Sequence, residues 1–208
     1  MIRNFILDWS GTLADDLGAV VAGTNRVLEH FGREGLSREA FRAVFRLPYT
    51  DFYSDMLPGV ALADLQAAYL SLFPVDHPVP LLPHAETFLR QAGATGRRLF
   101  VCSSAPGEHV RAQAEVNGVL DGFEELHCGV IDKVAHVHHM LERHGLAAAE
   151  TAFVGDMRHD IDAGRAAGLT TIATATGYES VDVLLTAGPD ILVRDLSHLT
   201  RLLTPLTP

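Results

Sequence analysis

The sequence is poor in lysine and in positive charge. Lys133 is its single lysine among 16 basic residues, and the formal net charge is −10. Such an acidic chain is poorly suited to neutralise the phosphates of a nucleic acid or the head groups of anionic lipids. The composition therefore argues against nucleic acid and membrane as partners, whereas a local positive site could still hold a small anionic substrate.

Cysteines and long apolar runs are also scarce. Cys102 and Cys128 each lie in a short apolar run typical of a buried strand, which predicts two inert core thiols in a reducing compartment rather than a disulfide. No run approaches the roughly 18 to 20 apolar residues of a membrane helix, and the first residues lack the apolar centre of a signal peptide. We therefore expect a cytoplasmic protein, either a monomer or a homodimer.

Short β-prone runs alternate with longer segments of helical period. This alternation is typical of the α/β class and predicts a doubly wound parallel sheet. Gly145 and Gly168 stand where helix C-terminal caps are expected. The predicted strands are Arg3 to Leu7, Arg98 to Ser103, Leu126 to Val130, Thr151 to Val154, Leu169 to Ala173 and, more weakly, Asp190 to Val193.

The first two runs are about eighty residues apart, far more than a simple crossover needs. The intervening residues read as several amphipathic helices, the first over Leu17 to Phe31, with breaks at Leu47-Pro48 and at Leu57-Pro58-Gly59. This pattern predicts a helical domain over residues 16–79, inserted into a core formed by residues 1–15 and 80–208. We place the two linkers near Asp15 to Asp16 and Asp76 to Leu81.

Aspartates stand at the ends of two predicted strands. Asp8 follows the first strand, and Asp156 follows the fourth, with Asp160 at the start of the next helix. Side chains at the carboxyl ends of strands in an open α/β sheet point into the crevice where ligands bind. Three carboxylates there offer the oxygen-rich site that Mg²⁺ prefers when phosphate completes its coordination. Capping roles for Asp8 and Asp160 are the alternative, but they do not explain the repeated placement.

The second and third strands add weaker signals. The second is followed by Ser103, Ser104 and Ala105, whose hydroxyls and backbone amides at a helix N-terminus can cradle phosphate oxygens. A plain N-cap serine is the alternative. Lys133 begins the helix after the third strand, where the helix dipole disfavours a cation. A lone lysine in this position indicates a functional charge set against a phosphate or a carboxylate.

Taken in order, these four elements resemble the motifs of the haloacid dehalogenase superfamily. The resemblance covers nearly the whole chain and implies a Rossmann-like core, a helical cap and a magnesium-dependent hydrolase of phosphate monoesters. It implies that Asp8 attacks phosphorus and forms an aspartyl-phosphate, that Ser103 binds the transferring group, and that Lys133 orients Asp8. The implied metal ligands are the carboxylates of Asp8, Asp156 and Asp160 and the backbone carbonyl of Ser10.

The chain departs from the family pattern at Ser10. Phosphatases of this family usually carry a second aspartate there, which protonates the leaving oxygen and then activates water. A hydroxyl is not an acid of matched pKa, and losing such a group typically costs about 10² to 10⁴ in rate. Either another residue replaces it, or turnover is slow, or the leaving group needs no proton. A same-fold phosphotransferase or other hydrolase, and a catalytically weak phosphate-binding regulatory protein, are the alternatives.

The resemblance also indicates a substrate class. Phosphonoacetaldehyde hydrolases share the opening segment, but they need a cap lysine, and this cap has none. By length and cap placement the chain is similar to phosphoglycolate phosphatases, so a small phosphorylated metabolite is expected. Arg42 could meet a second anionic group, and His159 is expected to be an exposed histidine without a role. The residues predicted to contact substrate are Arg46 and Tyr49 of the cap and Thr12, Ser104 and Ala105 of the core.

Overall fold

The structure, a computed structural model, describes residues 1–72 and 79–203 and contains one parallel sheet. Its strand order is β3-β2-β1-β4-β5-β6, the order of a doubly wound fold. The α/β fold and the six strands predicted from the sequence are confirmed. The strands are β1 (Asn4–Leu7), β2 (Arg98–Cys102), β3 (Glu125–His127), β4 (Thr151–Gly155), β5 (Thr170–Thr174) and β6 (Ile191–Val193).

Ten α-helices lie in the described residues, and none of them is long and apolar enough to cross a membrane. They are α1 (Leu17–His30), α2 (Arg38–Val44), α3 (Tyr49–Met56), α4 (Leu62–Leu72), α5 (Ala85–Ala94), α6 (Gly107–Val116), α7 (Lys133–His144), α8 (Arg158–Ala166), α9 (Val181–Ala187) and α10 (Leu196–Thr200). Five of them, α1 to α5, lie between β1 and β2 in the chain.

The two faces of the sheet bury separate apolar clusters. On β1 the alternation of side chains sends Phe5 and Leu7 to one face, where they join residues of α5, α6 and α10. Ile6 points to the other face and packs with Val137 of α7 and with Ala163 of α8. Because both faces are covered by helices, the central strands β1, β2 and β4 are largely apolar, as is typical of parallel sheets.

Helices α1 to α4 pack around an apolar cluster of their own, which contains Phe41, Phe52 and Leu57. We call these four helices the cap. Met157 and Tyr178, which belong to the sheet domain by position, are buried in the same cluster. The cap is therefore joined to the core by packing as well as by the chain.

The two chain segments that connect the cap and the core run side by side. Asp15 N–H donates to the Pro80 carbonyl at 2.9 Å, and Leu82 N–H donates to the Leu13 carbonyl at 2.8 Å. The predicted first linker at Asp15 to Asp16 lies here. The second, Asp76 to Leu81, falls partly outside the described residues, so the proposed division into 16–79 and 80–208 stays a prediction.

The third strand is shorter than predicted. It ends at His127, because the following residues bond to the loop after β2 instead of extending the ladder: Gly129 N–H donates to Ala105 and Val130 N–H to Ser103, at 2.8 and 3.0 Å. Cys128 is consequently half-buried outside the strand rather than in a buried strand. Both cysteines are free thiols, and burial raises the pKa of Cys128 to about 11, which keeps it protonated and inert.

Candidate active site

Three aspartates meet at the carboxyl edge of the sheet. β1 and β4 pair in parallel with Leu7 opposite Val154, so the residues that follow, including Asp8 and Asp156, leave the sheet at the same edge. Asp160 reaches the same point from the first turn of α8. One carboxylate oxygen of each aspartate lies within 4.8 Å of the other two. The structure thus brings together the three carboxylates singled out in the sequence.

Lys133 lies between two of these carboxylates. Its Nζ is 2.8 Å from Asp8 Oδ1 and 2.7 Å from Asp160 Oδ1, and its side chain is 0% exposed. Burial alone lowers the pKa of this lysine, but Asp160 and Asp8 outweigh burial and raise it. The ammonium form therefore persists. Contact with Asp8 was expected, whereas the ion pair with Asp160 was not.

Three buried carboxylates facing a single ammonium group leave an excess of negative charge. Burial and the charges of Asp8 and Asp160 raise the pKa of Asp156 well above its usual value. Burial also raises the pKa of Asp8, to about 6, although Lys133 opposes this. A hard divalent cation with oxygen ligands would offset that excess, so the three carboxylates fit a Mg²⁺ site. The backbone carbonyl of Ser10 stays a predicted fourth ligand.

Thr12 does not face the cleft, contrary to its predicted contact with substrate. It is fully buried, and its hydroxyl donates to Asp156 Oδ1 at 3.0 Å. The Tyr178 N–H donates to the other oxygen of this carboxylate at 2.7 Å. A buried carboxylate needs such donors, and Thr12 is the nearest hydroxyl. Thr12 therefore positions a candidate metal ligand.

Two glycines allow the loops to pass close to Asp156. A Cβ on Gly11 or on Gly177 would overlap the Asp156 carboxylate, and Gly11 also has a left-handed φ of 70°. At position 11, only glycine tolerates both the close contact with Asp156 and the left-handed φ without strain. The requirement at Gly177 was missed in the sequence, where it gave no signal beyond lying after the fifth strand.

The loop after β2 forms one wall of the cleft. Ser103, Ser104 and Ala105 all line it together with Asp8. The Ser103 Oγ accepts a hydrogen bond from the Ala105 N–H at 3.2 Å, and the Ser104 hydroxyl donates to the Val130 carbonyl at 2.8 Å. Because Ser103 accepts in this contact, its own hydroxyl hydrogen remains available to an anion in the cleft.

The cleft opens into a cavity of about 340 Å³ between core and cap. Its walls are largely apolar and aromatic, and the described residues that line it include no arginine and no lysine. His109 is the basic side chain found there, and burial lowers its pKa, so it is neutral at neutral pH. Apolar and aromatic residues of the wall include Val20, Phe45, Leu47, Tyr53, Leu65 and Tyr69.

The three cap side chains singled out in the sequence lie in different places, and their contact with a substrate stays a prediction. Tyr49 lines the cavity. Arg46 is absent from the described lining, and its Nη2 pairs with Asp55 Oδ2 at 2.5 Å on the exposed side of α3. Arg42 donates to the backbone carbonyls of Tyr178 and Glu179 at 2.9 and 3.2 Å. Both arginines thus have partners within the protein that helical spacing alone did not reveal.

Asp16 is a site residue that the sequence analysis missed. It is 4% exposed, its carboxyl group hydrogen-bonds the Ser10 side chain, and the Tyr178 hydroxyl donates to its Oδ1 at 3.1 Å. Burial raises the pKa of Asp16 to about 7, against the effect of these two hydrogen bonds. Asp16 and Ser10 line the cavity beside Asp8. The sequence offers one signal, a pair of aspartates directly before the helix that begins at Leu17, and this signal alone predicts only a linker.

His159 is half-buried, not exposed as expected. Its Nε2 accepts a hydrogen bond from the Lys133 N–H at 3.4 Å, a long contact. Burial and the neighbouring Lys133 charge lower its pKa, so the ring is a neutral acceptor at neutral pH. It supports the first turn of α7, and it does not line the cavity.

Comparison with known proteins places the chain in a family. The model of the family described as "Haloacid dehalogenase-like hydrolase" matches residues 5–174. A phosphoglycolate phosphatase of Synechococcus elongatus is 25% identical over 99% of this chain and 99% of its own. A solved haloacid dehalogenase-like hydrolase of Streptococcus pneumoniae superposes with a TM-score of 0.85 at 18% identity, covering 97% of this chain and 99% of that one.

A second solved structure, CbbY of Rhodobacter sphaeroides in complex with phosphate, has a TM-score of 0.81 at 20% identity. The superposition covers 96% of each of the two chains. At this identity the likeness shows a shared fold and nothing about the substrate of the present chain.

Proposed function

Since the chain belongs to the haloacid dehalogenase-like hydrolase family, we propose that this hydrolase is a magnesium-dependent phosphatase that acts on a small phosphate monoester through an aspartyl-phosphate at Asp8. The observation that carries the proposal is the buried cluster of Asp8, Lys133, Asp156 and Asp160, in which Asp8 lines the cavity between core and cap. A phosphoglycolate phosphatase among the relatives supports the same reaction class.

The chemistry requires a nucleophile that can approach an anion. One oxygen of Asp8 attacks phosphorus, the bond to the leaving oxygen breaks, and water later cleaves the acyl phosphate to return the carboxylate and inorganic phosphate. Lys133 holds Asp8 Oδ1 at 2.8 Å, which fixes the carboxylate and offsets its charge. Mg²⁺ held by the three carboxylates would neutralise negative charge on the phosphoryl oxygens. The Ser103 hydroxyl would donate to one of those oxygens.

The leaving oxygen also needs a proton, and Ser10 cannot provide one alone. Asp16 is the carboxyl group in hydrogen-bond contact with Ser10, and both line the cavity next to the nucleophile. We assign proton transfer to this pair, with Asp16 as the source of the proton and the Ser10 hydroxyl between it and the leaving oxygen. The same pair then accepts a proton from the attacking water.

Replacing Asp16 with Asn is expected to lower kcat for an alkyl phosphate by about 10²-fold, the usual contribution of a general acid. For p-nitrophenyl phosphate, whose leaving group departs without a proton, the loss is expected to be about tenfold or less. Steady-state kinetics on both substrates measure the difference. Equal losses on the two would show that Asp16 does not protonate the leaving oxygen and would limit its role to hydrolysis of the aspartyl-phosphate, which both substrates share, or to structure.

Two further variants sharpen this test. Asp15 is the exposed neighbour of Asp16, so Asp15→Asn is the matched control and should leave both rates unchanged. Adding Ser10→Asp to Asp16→Asn restores a carboxyl group at the family position and should recover most of the alkyl phosphate activity. If Asp15→Asn has the same effect as Asp16→Asn, the assignment to Asp16 fails.

The cavity favours a neutral leaving group with apolar surface. A phosphoglycolate molecule would place a second anion in a wall whose described residues carry no arginine or lysine, and burying an unpaired carboxylate is costly. We therefore expect kcat/KM for phenyl phosphate to exceed that for phosphoglycolate by at least about tenfold, since one such mismatch costs more than about 1.4 kcal/mol.

A panel of phosphate monoesters assayed with Mg²⁺ and with EDTA tests the proposal. Hydrolysis that requires Mg²⁺ and prefers the apolar esters supports it. Preference for phosphoglycolate would reverse the substrate assignment while leaving the reaction class intact. Tight phosphate binding with no turnover of any ester would instead favour the catalytically weak binding protein.

A further inference from the structure

A second group of metal-binding side chains lies at the edge of the sheet. Glu125 and His127 are two residues apart on β3, so they share a face of the strand, and His144 is the last residue of α7. None of the three lines the cavity or belongs to the carboxylate cluster described above. His127 is 8% exposed, and the other two are half-buried.

The three ligand atoms form a compact triangle. His127 Nε2 lies 3.1 Å from His144 Nε2, and Glu125 Oε2 lies 3.3 Å from His144 Nε2 and 3.9 Å from His127 Nε2. Ligands at the usual Zn–N and Zn–O distances around a tetrahedral ion are about 3.3 Å apart. The triangle therefore already has nearly the dimensions of three corners of a zinc site.

The surrounding groups orient these ligands as they do in metal sites. His127 Nδ1 is 2.9 Å from His136 Nε2. In the tautomer in which Nδ1 donates to His136, the Nε2 atom of His127 carries the lone pair that a metal needs, and His136 then orients the ring as an outer partner does in metal sites. Arg143 donates to both oxygens of Glu125 at 3.1 Å, which fixes the carboxylate.

We infer that Glu125, His127 and His144 bind one Zn²⁺ ion, with water at the fourth position, and that the ion fastens the edge strand β3 to the end of α7. Two imidazoles and one carboxylate suit zinc, whereas Mg²⁺ prefers oxygen ligands alone. The role is structural. β3 is a short edge strand that pairs only with β2 in the sheet, so an additional cross-link to α7 resists fraying.

Zinc binding is measured on the metal-stripped full chain in the presence of millimolar Mg²⁺, which keeps the carboxylate cluster occupied. Calorimetric titration should give one Zn²⁺ per chain. With Co²⁺ as the probe, a visible absorption band of four-coordinate intensity should appear at the same stoichiometry. At a free Zn²⁺ concentration well above the Kd, the thermal midpoint should rise by several degrees, because only the folded chain presents the site.

Variants assign the ion to these residues. Glu125→Gln and His144→Ala should each weaken Zn²⁺ binding by at least about 100-fold, since even outer partners of a metal contribute about 10- to 100-fold. His138→Ala removes an exposed histidine of the same helix and should change nothing. Glu125→Gln alters a half-buried ion pair with Arg143 rather than the apolar core, so it keeps the test independent of folding, and its Mg²⁺-supported hydrolysis should equal that of the parent.

Three results would overturn the inference. One is the absence of a zinc equivalent when Mg²⁺ is present. Another is equal Zn²⁺ affinity in Glu125→Gln, His138→Ala and the parent protein. The third is loss of the same zinc equivalent in Asp8→Asn, which would place the ion at the carboxylate cluster instead. Anomalous diffraction at the zinc edge would then locate it directly.

Discussion

Replacing Asp8 with Asn is expected to lower kcat for every phosphate monoester by at least about 10⁴-fold, the scale seen when a nucleophile is removed. The amide has no lone pair of comparable basicity to attack phosphorus. Fold and stability should be preserved, because the change keeps the shape of a buried side chain and removes one of three crowded negative charges. Steady-state kinetics with thermal unfolding as a parallel readout measure both effects.

Asp15→Asn supplies the matched control, since it removes a carboxylate seven residues further along the chain that is exposed and outside the cavity lining. It should retain the parent rate. Activity of Asp8→Asn within about tenfold of the parent would rule out an aspartyl-phosphate at this residue.

Lys133→Met is expected to affect stability and activity together. The change leaves Asp8 and Asp160 facing each other in a buried site without their ammonium partner, and breaking a buried ion pair in this way costs about 3–5 kcal/mol. Hydrolysis should fall below detection, because the nucleophile is no longer held or screened. Urea unfolding in EDTA measures the loss of stability.

Adding Mg²⁺ separates the loss of stability in Lys133→Met from the loss of hydrolysis. A cation on the carboxylates should restore part of the unfolding free energy of Lys133→Met, but it should not restore hydrolysis. Arg90→Met is the comparison, because the ion pair of Arg90 with Glu86 is exposed and should be worth less than about 1 kcal/mol. If Lys133→Met loses no more unfolding free energy than Arg90→Met in EDTA, the buried ion pairs of Lys133 do not stabilise the fold as expected.

The strands and the principal charged residues could be predicted from the sequence because each has a local signal. Parallel strands buried on both faces read as apolar runs, and Asp8 and Asp156 follow such runs directly. Lys133 was conspicuous as the only lysine of the chain. These features depend on short stretches of sequence, so no knowledge of the tertiary contacts was needed to find them.

The contacts of Asp16, Thr12 and Arg46 could not be predicted in the same way. Asp16 acquires its hydroxyl donor from Tyr178, which is 162 residues away in the sequence. Thr12 turns towards Asp156, 144 residues away, and Arg46 turns to an aspartate on the next helix. Each side chain has several possible hydrogen-bond or ion-pair partners, and only the packed structure shows which of them it contacts.

Tyr178 contacts both the cap and two buried carboxyl groups of the candidate site. Its ring centroid lies 6.2 Å from that of Phe41 and 5.5 Å from that of Phe45, both on the cap side, while its N–H and hydroxyl hold Asp156 and Asp16. Lifting the cap would strip the ring of its aromatic neighbours and free the hydroxyl to rotate. Opening of the cap and loss of the alignment of Asp16 would then be one event, so proton transfer by the proposed pair of Asp16 and Ser10 would require the closed cap.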